Sequence, residues 1–158
     1  MIKYNNIEQI GTNIPPHSND AEIAVLGAMM LDLTAVEKVI DILELNSMYS
    51  ETHKIIYNAM VSMFNRKINI DIVTLSEELL KLNALESIGG TYYLSEINSK
   101  TPTSANIEHH AQIVQEKYLK RVLIKSSGII LSRCYDESSD VFDEIQEAEN
   151  EIIGIVLS

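Results

Sequence analysis

The chain has 158 residues, a formal net charge of −11, one cysteine and 46% hydrophobic residues, enough for one domain with a real hydrophobic core. No apolar run approaches the roughly 20 residues of a membrane span, and no signal-peptide pattern is present, so we expect a soluble, cytoplasmic protein without disulfides. Nucleic-acid binding depends on Lys and Arg at the phosphates, so this acidic chain is poorly suited to hold DNA or RNA by itself.

Residues 1–13 are predicted to form a disordered tail, and the pattern beyond them is helical almost throughout. Four helices are expected to begin at side chains that cap the free backbone N–H groups. The predicted caps are Ser18 or Asn19 with Glu22, Thr34 with Glu37, Ser50, and Thr74 with Glu77. Residues 14–102 are therefore predicted to fold as a globular head of several helices.

Two adjacent glycines, Gly89 and Gly90, stand in the stretch SIGGTYYL. A phosphate-binding Walker loop needs Lys-Ser/Thr after its last glycine, and a dinucleotide fingerprint needs a third glycine after a strand. Neither pattern follows here. The pair is therefore predicted to be a turn that ends one helix and starts a short one.

Residues 103–158 are predicted to form a long antiparallel helical hairpin. One helix is expected from about Ala105 to Cys134 and another from Val141 to about Val156, joined by an acidic turn. Two helices cannot cover all of the apolar surface that these segments carry, so we expect the hairpin to pack against a second copy. The residues predicted at this dimer contact are Val122, Ile129, Phe142, Ile145 and Ile152.

No catalytic, cofactor-binding or metal-binding residues are predicted. The adjacent His109 and His110 would point about 100° apart on a helix and could not chelate one ion as an i,i+4 pair would. His53 is interpreted as a capping or packing residue. The basic group from Lys117 to Lys125 is interpreted as a solvated helix face, and the clustered carboxylates as solvated surface.

Six motifs, in order and with their spacing, resemble the N-terminal domain of the bacterial replicative DNA helicases of the DnaB family. The resemblance extends from about Ile14 to Ile155. The motifs are IPPHSNDAEIAVLGAMMLD, YSETHKIIYNAM, IDIVTLSEEL, LESIGGTYYLSEI, TPTSANIEHHAQIVQEK and AENEIIGI.

This resemblance implies a helical head followed by a hairpin, in agreement with the periodicity. In the family such domains pair through their hairpins, and three pairs form a collar on a hexamer. The hexamer's C-terminal RecA-like domains bind ATP and magnesium and drive 5′ to 3′ unwinding. That motor lies outside this chain, which is therefore expected to hold neither ATP nor metal.

The family's collar also docks the C-terminal domain of primase, and a helicase loader is a further expected partner. Family positions that affect primase contact or coupling correspond to Asp20, Tyr93, Ile124 and Ile130. For Tyr93 the alternative is core packing, and for Ile124 and Ile130 it is hairpin packing. The alternative function is a stand-alone helical adaptor, such as a loader or primosome accessory protein.

Two departures from the family pattern occur. Lys67 and Asn69 occupy positions where the family usually has glycine and proline, so the geometry of that loop is not fixed by the resemblance. Met48-Tyr49 replaces the usual Phe-Tyr before the third helix, a volume-tolerant exchange expected to leave the core intact.

Overall fold

The computed structural model describes residues 13–157, so the predicted tail, residues 1–13, lies outside the described residues except for its last position. The described residues form seven α-helices and no strand. The helices are α1 (Asn19–Leu31), α2 (Leu33–Ile42), α3 (Glu51–Asn65), α4 (Ile72–Lys81), α5 (Gly90–Lys100), α6 (Ile107–Cys134) and α7 (Val141–Leu157). The predicted all-α fold, a multi-helix head followed by a helical hairpin, is confirmed.

α1 lies at the centre of the head. Almost every residue from Ala21 to Met30 is buried, as expected for a helix that other helices surround. It packs against α2, α3, α5 and α6. The largest fully buried side chains of the core are Tyr57, Leu26, Met29, Met48, Ile56, Met60, Met63, Leu75, Leu79, Leu94, Ile97 and His53.

The first four helices begin at capping side chains, but the three predicted capping boxes are wrong. α1 is capped by Ser18, whose hydroxyl accepts from the N–H of Ala21 at 3.3 Å, and Ser50 caps α3 as predicted. The Asn19–Glu22 box does not form because Glu22 is buried and bonded elsewhere.

α2 and α4 begin at aspartates that stand two or three residues before the threonines predicted as caps. Asp32 accepts from the N–H of Thr34 at 2.9 Å. Asp71 accepts from the N–H of Thr74 at 2.9 Å, and the Thr74 hydroxyl accepts from the N–H of Asp71 at 3.0 Å. The boxes predicted from Thr34 and Thr74 are therefore wrong. Both threonines lie inside their helices, and their backbone N–H groups donate to the capping aspartates.

Asp32 also ends α1, where its own N–H donates to the carbonyl of Ala28 at 3.1 Å. The same residue is thus the C-cap of α1 and the N-cap of α2, in extended conformation with φ −150° and ψ 124°. Its second carboxylate oxygen accepts from the hydroxyl of Ser104 at 3.3 Å, which joins this corner to the segment before α6.

α6 belongs to both parts of the molecule. Its first turns carry Ile107, Ala111 and Val114, which are buried in the head core against α1 and α2. Its second half packs against α7 instead. The predicted division of the chain between residues 102 and 103 stays a prediction; in the structure the beginning of the second segment is packed into the head.

The hairpin is closed by contacts between its two helices. Arg133 on α6 forms an ion pair with Glu147 on α7 at 2.7 Å, and the Ser126 hydroxyl donates to Glu151 at 3.1 Å. In the part of the chain that the structure describes, no helix has both the length and the apolar character for crossing a membrane.

Gly27 marks the closest approach between α1 and the end of α5. A Cβ atom placed there would lie 2.1 Å from Oγ1 of Thr101 and 3.1 Å from the carbonyl oxygen of Ile97. The Thr101 hydroxyl donates to that same carbonyl at 3.2 Å, so it is held in place. Only glycine fits at this contact.

We predict that Gly27→Ala lowers the free energy of unfolding by about 1 to 3 kcal/mol, the usual cost of overpacking a core. Gly128→Ala is the matched control, because a Cβ atom at this helical position meets nothing within 4 Å. The control is expected to be neutral or to stabilise by up to about 1 kcal/mol. Urea unfolding of both variants at the same chain concentration measures the two changes in the free energy of unfolding. Equal changes would contradict the prediction.

We predict that the stabilising effect of the Asp71 charge disappears in acid. Hydrogen bonds from the backbone N–H of Thr74 and its neighbours lower the pKa of Asp71 below its ordinary value of 3.8. The folded state therefore binds the proton less tightly than the unfolded state. The resulting stability is present above the ordinary pKa and lost as the pH falls through the lowered one.

Asp71→Asn keeps a good helix cap and removes the titrating group. The unaltered chain should be more stable than this variant at neutral pH, and the gap should close as the pH falls below about 4. Urea midpoints for both proteins across this range measure the gap. A gap that does not change with pH would show that the charge contributes nothing.

Candidate partner-binding surfaces

Tyr93, one of the residues expected at the partner contact, is tied into the interior of the head. Its side chain is half-buried on α5, and its hydroxyl lies 2.7 Å from Nε2 of His53. The two rings are almost parallel, with an angle of 4° between them. Burial raises the pKa of Tyr93, with a smaller contribution from Glu96 in the same direction.

His53 continues this connection to a buried carboxylate. Its Nδ1 lies 2.6 Å from Oε2 of Glu22, and both side chains are almost completely buried, at 1% and 3% exposure. Because a carboxylate only accepts, the proton between them is on Nδ1. This bond orients the ring so that its other nitrogen, Nε2, meets the Tyr93 hydroxyl.

Glu22 also binds the backbone at the start of α3. The N–H of Tyr49 donates to Oε1 at 2.6 Å, and the N–H of Ser50 donates to Oε2 at 3.3 Å. With His53, the carboxylate receives three donors, which is how a buried charge is accommodated in a protein core. Glu22, His53 and Tyr93 thus connect α1, α3 and α5 through hydrogen bonds.

Asp20, at the start of α1, acts electrostatically on Lys100, at the end of α5. Glu96 accepts from Lys100 at 2.7 Å and raises the pKa of that lysine, and Tyr93 and Asp20 act in the same direction. The Tyr93 phenol is uncharged at neutral pH, so the negative charges that act on Lys100 there are those of Glu96 and Asp20. Asp20 itself is exposed at the start of α1, whereas Tyr93 is half-buried on α5, the helix that carries Lys100.

The two glycines before Tyr93 shape the start of α5. Gly89 has φ 96° and Gly90 has φ 71°, both in the left-handed region that favours glycine. A Cβ atom on Gly89 would lie 3.2 Å from the Cβ atom of Tyr93, so the turn closes directly over this tyrosine. The predicted turn, rather than a phosphate loop, is what the structure shows.

Ile124 lies on α6, whereas Asp20 and Tyr93 lie on α1 and α5. It is exposed and borders a groove of about 520 Å³ between α6 and residues 13–16. Arg121 and Lys125 supply the positive charge of this groove. Ile130, further along α6, is half-buried.

Arg121 holds the groove together, and the interpretation of its segment as a solvated face is wrong for this residue. Its guanidinium donates to the carbonyl of Pro16 at 2.8 Å and to that of Ser47 at 2.6 Å. It also lies over the rings of Tyr49 and Tyr118, at 5.4 Å and 5.8 Å from their centroids. Burial lowers the pKa of Arg121, and Glu22 opposes this shift.

The residues predicted at the dimer contact all lie on the hairpin, and each is at least partly exposed. Val122 and Ile129 on α6 are half-buried, whereas the three residues on α7 are exposed in the single chain. These three are Phe142, Ile145 and Ile152. Val122 also borders a cleft of about 610 Å³ between α6 and α7.

The histidines and carboxylates do not converge on one point. Among the described residues, no three His, Cys, Asp or Glu side chains are placed to hold a metal ion together. The rings of His109 and His110 are 6.2 Å apart and tilted by 47°. What the described residues do provide is apolar surface on the hairpin and a positively charged groove at its base.

Two structural centres, Glu22 and Arg121, are not predicted from the sequence. As an acid in a first turn, Glu22 has the pattern of a capping residue, and Arg121 belongs to a run of basic residues. The available signal for Glu22 is its position among Ala21, Ile23 and Val25, where every helix face is apolar. A charge in such a setting needs a partner.

The sequence is similar to those of known replicative DNA helicases. The sequence matches the family described as DnaB-like helicase N terminal domain over residues 14–116. The replicative DNA helicase DnaC of Bacillus subtilis (strain 168) is 37% identical over 146 residues, 92% of this chain and 32% of that protein. The replicative DNA helicase DnaB of Geobacillus stearothermophilus is 37% identical over 148 residues, 94% of this chain and 33% of that protein. This chain thus spans about a third of the length of these two relatives.

Solved structures share the fold. The N-terminal domain of DnaB helicase from Mycobacterium tuberculosis superposes with a TM-score of 0.84 at 34% identity, covering 89% of this chain and 99% of that one. A DnaB-like replicative helicase, described with its interactions with primase, gives a TM-score of 0.71 at 24% identity, covering 87% of this chain and 31% of that one. By sequence and by fold, this chain belongs to the family of DnaB-like helicase N-terminal domains.

Proposed function

We propose that this chain is the N-terminal collar domain of a hexameric replicative DNA helicase, which pairs through its hairpin and provides a platform for primase. The observation that supports this most directly is the apolar face that the hairpin leaves exposed. Phe142 is 77% exposed and Ile145 is 60% exposed, on a helix with no basic residue. Contiguous apolar surface of this kind marks a protein interface.

A second copy of the hairpin is the proposed partner of this face. Antiparallel helix pairs with apolar residues at three- and four-residue steps associate into bundles, and a twofold interface uses the same patch on both copies. Three such pairs would form the ring of the collar. The proposed role of the domain is therefore assembly and coupling.

Primase is the proposed external partner, through its C-terminal helical domain. Support comes from family membership and from the DnaB-like replicative helicase described with its interactions with primase. The proposed surface includes Asp20 and Tyr93 on the head and Ile124 and Ile130 on α6. A helicase loader is a further proposed partner.

The complete protein is proposed to be an ATP-dependent 5′ to 3′ DNA helicase of the cytoplasm. ATP and magnesium would be bound by a C-terminal RecA-like domain that follows the collar domain. The match covers 32% and 33% of the length of the two relatives, so the rest of each relative is long enough for such a domain. The charge of −11 gives this part of the protein little affinity of its own for nucleic acid.

Size-exclusion chromatography with light scattering tests the proposal, on the 158-residue chain alone and with the primase C-terminal domain from the same organism. We expect a dimer or a multiple of it, and a complex with the primase domain. A chain that stays monomeric at high micromolar concentration and forms no complex would contradict the collar role.

We predict that Ile145→Glu dissociates the dimer, because a charge at the centre of an apolar interface loses its water without gaining a partner. The dimer dissociation constant should rise by about 30-fold or more. Leu80→Glu is the matched control, since Leu80 is 62% exposed against 60% for Ile145 but lies on α4 of the head. Sedimentation of both variants measures the effect, and equal dissociation by both would remove the hairpin from the interface.

A further inference from the structure

Two neighbouring tyrosines on α5 have opposite surroundings. Tyr92 is 79% exposed, and its hydroxyl has no hydrogen-bond partner among the described residues. Tyr93 is half-buried, and its hydroxyl is bonded to His53. Of the two phenol groups, that of Tyr92 is the more exposed, and that of Tyr93 is engaged with the head.

We propose that Tyr92 is the side chain of α5 that the partner contacts, and that Tyr93 is a positioning residue which holds α5 in place. This inference rests on the proposed function, with the primase C-terminal domain as the partner. It changes the role of Tyr93: the tyrosine acts through the interior of the head instead of at the contact itself.

The positioning role follows from three attachments around the first turn of α5. The Gly89 turn closes over Tyr93, where there is no room for a larger residue without a shift. The Thr91 hydroxyl donates to the hydroxyl of Ser76 on α4 at 3.2 Å. Tyr93 binds His53, which Glu22 holds in turn. Because Thr91 and Tyr93 flank Tyr92, fixing them fixes the direction in which Tyr92 leaves the helix.

The surface around Tyr92 has the composition of a contact site. Ser76 lies three residues after Val73 and four before Leu80, so these three share one face of α4. Through the Ser76–Thr91 bond, that face borders the start of α5. Val73 and Leu80 are both exposed. Thr91, the residue before Tyr92, therefore borders a face of α4 with exposed apolar residues, in a chain that carries almost twice as many acidic as basic side chains.

The partner surface that fits this composition is an apolar pocket with a rim of Lys or Arg. Tyrosine is enriched among the residues that dominate binding energy, because its ring fills such a pocket while its hydroxyl stays hydrogen-bonded at the edge. The net charge of −11 favours a basic rim and speeds the encounter with it.

The test measures the affinity of the 158-residue chain for the primase C-terminal domain, together with amide hydrogen exchange along α5. Tyr92→Ala is expected to weaken binding about 30-fold or more without changing exchange. Tyr135→Ala is the matched control, since Tyr135 is 77% exposed but lies at the end of the hairpin. It should bind like the unaltered chain.

Tyr93→Phe removes only the hydroxyl and is expected to speed exchange in α5 and weaken binding by a few fold. Weaker binding by Tyr93→Phe with unchanged exchange in α5 would overturn the positioning role, as would no effect of Tyr93→Phe on either measurement.

Two failures can be told apart. If the unaltered chain binds the primase domain and Tyr92→Ala binds equally well, the assignment of Tyr92 is wrong and the proposed function stands. If the unaltered chain does not bind the primase domain, the proposed primase role falls and the contact assigned to Tyr92 falls with it.

Discussion

The head depends on one buried carboxylate. Glu22 lies on the helix at the centre of the core, and it would be strongly destabilising there without partners. The N–H groups of Tyr49 and Ser50 and the ring of His53 supply them. Since the two N–H groups belong to the residues just before α3, one side chain both satisfies its own charge and anchors the segment that leads into this helix. Removing either partner of such a buried pair typically costs about 3 to 5 kcal/mol, so this junction tolerates little change.

A second junction, around Arg121, sets the hairpin on the head. The guanidinium binds two carbonyls that are far apart in sequence, those of Pro16 and Ser47, and contacts the rings of Tyr49 and Tyr118. Its planar group with several donors is suited to such bridging in a way that lysine is not. Tyr49 takes part in both junctions, with its backbone N–H on Glu22 and its ring under Arg121. The α5 surface and the base of the hairpin are thus connected through a few polar contacts.

Much of the fold could be predicted from the sequence because it is recorded in local patterns. The apolar spacing from Ile107 to Val122 predicts a helix whatever the tertiary structure, and the long hairpin follows from two such segments and a short turn. Capping was less predictable. Asp32 and Thr34, or Asp71 and Thr74, are all good capping residues, and only the backbone conformation decides which of them stands outside the helix.

The site was predicted less well because its contacts are long-range. Glu22 and His53 are 31 residues apart, and His53 and Tyr93 are 40 apart, so no local spacing indicates that they meet. The resemblance pointed to Tyr93 without saying whether it touches a partner. The sequence does not distinguish Tyr92, which is exposed, from Tyr93, which is bonded to the interior. Only the packing of α5 shows which of the two is which.

Asp32 gives the head a corner without a loop. One residue ends α1 and begins α2, and its carboxylate also holds Ser104 just before α6. Only Asp32 separates α1 from α2, and the two helices also pack directly against each other. A displacement of either helix would therefore act directly on the segment before α6, through the bond between Asp32 and Ser104.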